Sequence, residues 1–202
     1  NASINADIYL YPGNYTENIV INKTIKIHGI ELAEDTIIIG SNETPSVLIG
    51  GNDIVRDVLI TGISIMGGNH SLRTGRYVDV GGLYVDNCII QEPDKGYAVY
   101  VDPHNYTDAS SAREGTYIFT EPVVFSNNYI RNHFEYQYWP WEVYYADVGI
   151  QLDLYQNDID SVFINGSIST RIKNNDLATL GVTYSRDMRI DNNYINNPWQ
   201  NR

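Results

Sequence analysis

Carboxylates carry most of the chemistry this chain could perform. Asp153, Asp158 and Asp160 lie together in QLDLYQNDID, and Arg171 and Asp176 follow in STRIKNNDLAT. Oxygen donors of this kind suit Ca²⁺, with Asp158, Asp160 and Asp176 as ligands, and an Arg beside them serves as a base or charge stabiliser. Glycoside hydrolysis would need two such groups about 5 to 10 Å apart, one as acid and one as base or nucleophile. The spacing along the chain is not diagnostic, and a solvated acidic face on a chain of net charge −12 accounts for the same residues. His28, His70, His104 and His133 are scattered, with no two at metal-ligand spacing, and read as surface or loop residues. Cys88, the one cysteine, lies in the alternation LYVDNCII with no His or Lys flanking it, so a small buried hydrophobe is expected and not a reactive thiol. No cofactor is expected; Ca²⁺ is the one ion these side chains suit.

Two further motifs could meet partners. Asn-x-Ser/Thr triplets occur at Asn1, Asn14, Asn22, Asn42, Asn69, Asn105 and Asn165. Chance would supply roughly three in so Asn-rich a chain, so the excess points to a glycosylated protein outside the cell or on its surface. The stretch HFEYQYWPWEVYY, from His133 to Tyr145, crowds aromatic rings around one proline. Phe134, Tyr136, Tyr138, Trp139 and Trp141 break clean two-residue alternation, so part of it is expected to be loop. Flat apolar rings with polar tips suit three uses: packing on the chain's own flank, contact with a neighbouring subunit, or stacking on a glycan.

Charge and hydropathy exclude other classes. The 13 Lys and Arg are scattered through an acidic chain, so no basic stripe exists to neutralise a phosphate backbone, and nucleic acid is not an expected partner. No apolar run approaches the roughly 20 residues that cross a bilayer as a helix. The first residues lack the basic start and apolar middle of a signal peptide, which reads as a mature or excised segment.

The elements that must position these side chains are strands. Period-two alternation recurs in short bursts separated by Gly, Asn and Asp, and helix signals are nearly absent. In NIVINKTIKIHG, Ile19 and Ile21 face one way, a turn follows at Asn22 and Lys23, and Ile25 and Ile27 face that way again while Lys26 and His28 face out. One frame repeats. Val58, Ile60, Gly62, Ile63 and Ile65 align with Leu83, Val85, Asn87, Cys88 and Ile90, then with Val123, Phe125, Asn127, Asn128 and Ile130. It returns in Thr170, Ile172, Asn174, Asn175 and Leu177, and in Met188, Ile190, Asn192, Asn193 and Ile195. The starts are about 25, 40, 47 and 18 residues apart, which predicts a solenoid coil of roughly 18 to 25 residues, the longer gaps holding two coils or insertions. Asn at the corner tolerates the left-handed backbone of a sharp bend, and stacked Asn side chains can bond from coil to coil.

With Pro12, Gly13, Tyr15, Glu17, Ile25 and Gly29 in IYLYPGNYTENIVINKTIKIHG, and the NN corners that follow, the chain resembles the right-handed parallel β-helix proteins of the pectin-lyase-like superfamily. The resemblance, which covers most of the chain with gaps at about 69–78, 102–116 and 132–148, implies one all-β domain over residues 1–202, a single-stranded right-handed parallel β-helix with loop insertions, and a segment of a longer surface protein as one setting for it. It implies little about activity, since the superfamily joins esterases, lyases and hydrolases with non-catalytic surface proteins. Members that cleave polysaccharides use carboxylates and an Arg on one outer face, which on stacked coils would be Asp153, Asp158, Asp160 and Arg171, and lyases of this fold often hold Ca²⁺. The paired Asp and GHG signatures of the hydrolases are missing. DSVFINGS, residues 160–167, is a distant echo of the esterase motif with its Asp displaced. The expected function is therefore an extracellular structural glycoprotein that self-associates in a layer, sheath or filament or acts as an adhesin-like module. A secreted polysaccharide lyase or hydrolase is the alternative, and glycan binding without cleavage a third.

Overall fold

The structure, a computed structural model, describes residues 2–41, 43–50, 55–74, 80–91, 93, 95–101, 122–137, 152–165, 170–183, 185 and 187–196. The described elements are strands and one 3₁₀ turn, Ala33–Asp35. The first rung is β1 (Ala6–Leu10), β2 (Gly13–Thr16) and β3 (Ile19–Ile21). The second is β4 (Ile25–Gly29), β5 (Thr36–Gly40) and β6 (Val47–Ile49), and the third β7 (Val55–Thr61), β8 (Ser64–Gly67) and β9 (Leu72–Thr74). The fourth is β10 (Val80–Asp86), β11 (Ile89–Gln91) and β12 (Val99–Val101). Among the described residues the later rungs have two strands each: β13 (Val123–Ser126) with β14 (Tyr129–Gln137), β15 (Leu152–Tyr155) with β16 (Asp158–Asn165), β17 (Arg171–Lys173) with β18 (Asp176–Thr183), and β19 (Arg189–Asp191) with β20 (Tyr194–Ile195).

Among the described residues every strand pairing is parallel and joins one rung to the next. An eight-stranded sheet runs β1-β4-β7-β10-β13-β15-β17-β19; a second, of twelve strands, holds the others. This is an all-β, solenoid-like arrangement. The long strand β14 unites the two halves of the second sheet: its start pairs with β11 and its end with β12. A register shift between Ile130 and His133 lets it turn the corner, with Asn132 at φ 92°.

Alternation along each strand places the apolar residues of successive rungs in columns. Ile38, Ile65, Ile90, Ile130, Ile159 and Leu177 stack in one, and Ile27, Ile60, Val85, Phe125, Leu154 and Ile172 in another. All are buried. Each such side chain contributes about 1.5–3 kcal/mol by leaving water, so a continuous column is what rewards regular winding. Phe125 and Phe134 meet edge to face inside, with ring centroids 4.9 Å apart.

The corner carries two tasks at adjacent positions. Asn87, Asn127, Gln156, Asn174 and Asn192 adopt φ between 50° and 58°, the left-handed bend, and Gly62 does so at 68°. The residue after each stacks inward. Asn128 donates from N and Nδ2 to Asn157 Oδ1 (3.0 and 3.1 Å), Asn157 likewise to Asn175 Oδ1 (2.9 and 3.0 Å), and Asn175 to Asn193 Oδ1 (2.9 and 2.9 Å). Each amide also donates to a carbonyl of the preceding strand, as Asn157 does to Phe125 O at 2.9 Å. Cys88 ends the ladder, its N–H donating to Asn128 Oδ1 at 2.9 Å, and Ile63 occupies the same corner one rung earlier. Gly29 and Gly62 approach so closely there that a Cβ on Gly29 would stand 1.8 Å from Gly62 O.

The register accounts for the long interval in the repeat. Asn128 and Asn157 are 29 residues apart and Asn157 and Asn175 are 18 apart, so the interval holds two rungs. The extra rung is QLDLYQNDID itself. Its Leu152, Leu154, Asn157 and Ile159 fill the shared frame, with Gln156 standing where the other later rungs have Asn.

Candidate functional site

The outward residues of the strands, fixed by the same alternation, hold the groups that could act. The acidic stretch divides between two sheets. Asp153 lies on the eight-stranded sheet in register with Arg171, whose Nε is 3.8 Å from Asp153 Oδ1. Asp158 and Asp176 are exposed register partners on the other sheet, between Tyr129 and Tyr194 in the same column. Asp160 binds Arg131 Nη1 at 2.7 Å and accepts the Asn132 N–H at 2.9 Å, at the irregular corner of β14. The structure thus brings Asp153 to Arg171 and Asp158 to Asp176, and engages Asp160 with a different Arg. Among the described residues no three His, Cys, Asp or Glu side chains converge as a metal site.

A denser constellation lies on the flank formed by β9, β12, β14 and β16. Arg73, Tyr100, Glu135 and Phe163 follow one another across these strands in register, and His133 stands opposite Ser161. His133 Nδ1 is 2.9 Å from Ser161 Oγ, and its Nε2 is 3.4 Å from Glu135 Oε2. The ring is 25% exposed and the carboxylate 12%. Tyr97 also bonds Glu135: the carboxylate charge first, then burial, raises the pKa of the phenol, so it stays protonated and donates. Tyr97 packs against His133 at 4.8 Å and stacks on Tyr100 at 5.8 Å, while His70 lies 5.3 Å from Tyr100 and the Arg73 guanidinium 5.2 Å from the same ring. Burial, and then nearby Arg73, lower the pKa of His70, and its Nδ1 accepts the Tyr97 N–H at 3.0 Å, which requires a neutral ring.

Ring faces already covered by one another offer little platform for a sugar. Glu135, His133 and Ser161 form a file in which a carboxylate lies 3.4 Å from an imidazole that is itself within hydrogen-bond distance of a hydroxyl.

The file was hidden in the sequence because its members are 28 residues apart along the chain and meet only across a rung. Two partial signals were present: His133 and Glu135 alternate on one face of a strand, and Ser161 falls in the rung that QLDLYQNDID begins. Of the aromatic stretch, Phe134 is buried in the core; Tyr136 is on β14; Tyr138, Trp139 and Trp141 lie outside the described residues. His28 stacks on Tyr9 at 5.1 Å and lies 3.2 Å from Asp7; His104 is outside the described residues. Cys88 is buried, and burial pushes its thiol up to about 12.

Among the sequons, Asn14 and Asn22 are exposed, on β2 and just after β3. Asn69 Nδ2 donates to Glu43 O at 3.1 Å and the Ser71 hydroxyl to Gln91 O at 2.9 Å. Asn165 Oδ1 accepts from Thr183 Oγ1 at 3.1 Å. Asn1, Asn42 and Asn105 lie outside the described residues. No protein-family model matches the chain, and no curated protein matches it in sequence.

Proposed function

We propose that the chain is a single-stranded right-handed parallel β-helix of the pectin-lyase-like kind that serves as an extracellular structural glycoprotein, self-associating on a cell surface. The observation that carries this reading is the state of the last described rung. Ile190 and Ile195 continue the inward columns, and each is 47% exposed at the edge of the last described rung. The strand edges of β19 and β20 run parallel to those of β1 and β2 at the opposite end, so the first rung of a second copy has the complementary edge. Stacking of this kind repeats without closing, which suits a layer, sheath or filament. The sequon excess, with Asn14 and Asn22 exposed, supports the glycosylated surface setting. The Trp139 and Trp141 stretch is the second contact we assign, made side by side.

A polysaccharide lyase or hydrolase is the weaker reading, and Asp158, Asp160 and Asp176 do not converge as a Ca²⁺ site for it. Its best support is the adjacency of Asp158 and Asp176, both exposed.

Sedimentation velocity over a concentration series tests the structural reading together with intact mass of protein from its native source. Species larger than 22.9 kDa that dissociate in Ile190→Lys/Ile195→Lys, and added hexose mass, are expected. A monomer at every concentration, unchanged by those substitutions or by Trp139→Ala/Trp141→Ala, would overturn it.

A further inference from the structure

We infer that Ser161, His133 and Glu135 form an acyl-transfer site, with a small carboxylic ester as its substrate class. A carboxylate only accepts hydrogen bonds, so Glu135 Oε2 beside His133 Nε2 places the imidazole proton on Nε2. The lone pair is then on Nδ1, 2.9 Å from Ser161 Oγ, within reach for taking the hydroxyl proton. Tyr97 donates a hydrogen bond to Glu135 and leans on the His133 ring, so both carboxylate and imidazole have supports that no part of Ser161 provides. Strand register supplies the rest. His133 and Ser161 are Cα partners on adjacent parallel strands, and Glu135 is two residues beyond His133 on the same outer face. A nucleophile, its base and an orienting carboxylate are recognised by these roles, whichever ring nitrogen faces the hydroxyl.

The reaction balances without an added oxidant or metal. Ser161 Oγ attacks the ester carbon as its proton passes to His133 Nδ1; the bond to the alcohol oxygen breaks, and the alcohol leaves with that proton. Water then gives a proton to Nδ1 and attacks the acyl carbon, the bond to Oγ breaks, Ser161 regains its proton, and the carboxylic acid departs. β16 is paired on both edges, with β14 and β18, so its own N–H groups are engaged in ladders and supply no oxyanion hole. Lacking such donors lowers turnover by about 10²–10³ for each one absent. The good leaving group of a 4-nitrophenyl ester makes acylation faster than hydrolysis of the acyl intermediate, so a single burst with slow release is expected from it.

A fluorophosphonate carrying a fluorophore tests the site on the folded chain, with 4-nitrophenyl acetate as the ester probe. One equivalent of label on Ser161, located by peptide mass, and a burst of one equivalent of 4-nitrophenol are expected, both lost in Ser161→Ala. His133→Gln should slow labelling about 10²-fold or more, the range of general-base catalysis. Glu135 is a positioning residue: Glu135→Gln should slow labelling at an unchanged thermal midpoint, and Glu135→Asp should restore part of the rate. Labelling no faster than in Ser161→Ala, label on another serine, equal labelling of heat-unfolded chain, or a rate indifferent to Glu135→Gln would each overturn the assignment. Self-association is read from sedimentation, so either proposal can fail while the other stands.

Discussion

Asn127 and Asn128 are chemically identical neighbours with different work. The first takes a backbone conformation that costs most residues roughly 1–2 kcal/mol, and the second places an amide where it can give and accept along the stack. Cys88 shows what that second position tolerates: a small apolar side chain whose N–H still closes the ladder. Its thiol is also a proton-linked element. The folded state holds it protonated up to about 12, while in the unfolded chain it ionises near 9.0. Below pH 9 both states carry the proton and stability is unaffected; between 9 and 12 only the unfolded state loses it, so stability should fall by about 1.4 kcal/mol per pH unit. Urea unfolding of Cys88→Ala beside the parent chain isolates this slope from that of the tyrosines: the gap between the two should close steadily from pH 9 to 12. A constant gap would mean the thiol is not sealed from water.

Between elements, the ladder and the apolar columns are two fasteners of different kind. Columns reward any stacked arrangement of apolar rungs; the amides demand one registry, since each must find Oδ1 of the next rung and a carbonyl of the one before. Asn157→Leu would leave Asn128 N–H without its acceptor and Phe125 C=O without the amide donor, while Asn175 Oδ1 keeps the backbone N–H of residue 157. At about 1–3 kcal/mol for each orphaned buried group, a loss of about 3 kcal/mol or more is expected in the urea midpoint, where an exposed Asn14→Leu should cost almost nothing. A small loss would show that the columns alone set registry. At this scale the repeat was legible in sequence because period two, a two-residue corner and apolar flanks are all local. The rung beginning at Leu152 escaped because Gln156 replaces the first Asn and its polar outward residues resemble a site. Equally hidden was the fusion of two strands in β14, which depends on how one residue pair bulges at a corner.

For the whole molecule, a formal charge of −12 opposes any contact between copies. At 0.01 M salt the screening length is about 30 Å and at 0.15 M about 8 Å, so end-to-end association should strengthen as salt rises over that range. Sedimentation at fixed protein concentration checks the trend; weaker association in salt would mean that charge pairs, and not the apolar columns, join the copies. Alternation and corner chemistry by themselves determined that this chain makes short strands repeating in one frame, because those preferences act within a few residues. Which outward side chains would meet was decided only by the tertiary structure. Neighbours across rungs, such as His133 and Ser161 or Asp153 and Arg171, are separated along the chain by a whole rung whose length varies, and only the parallel register converts that separation into contact.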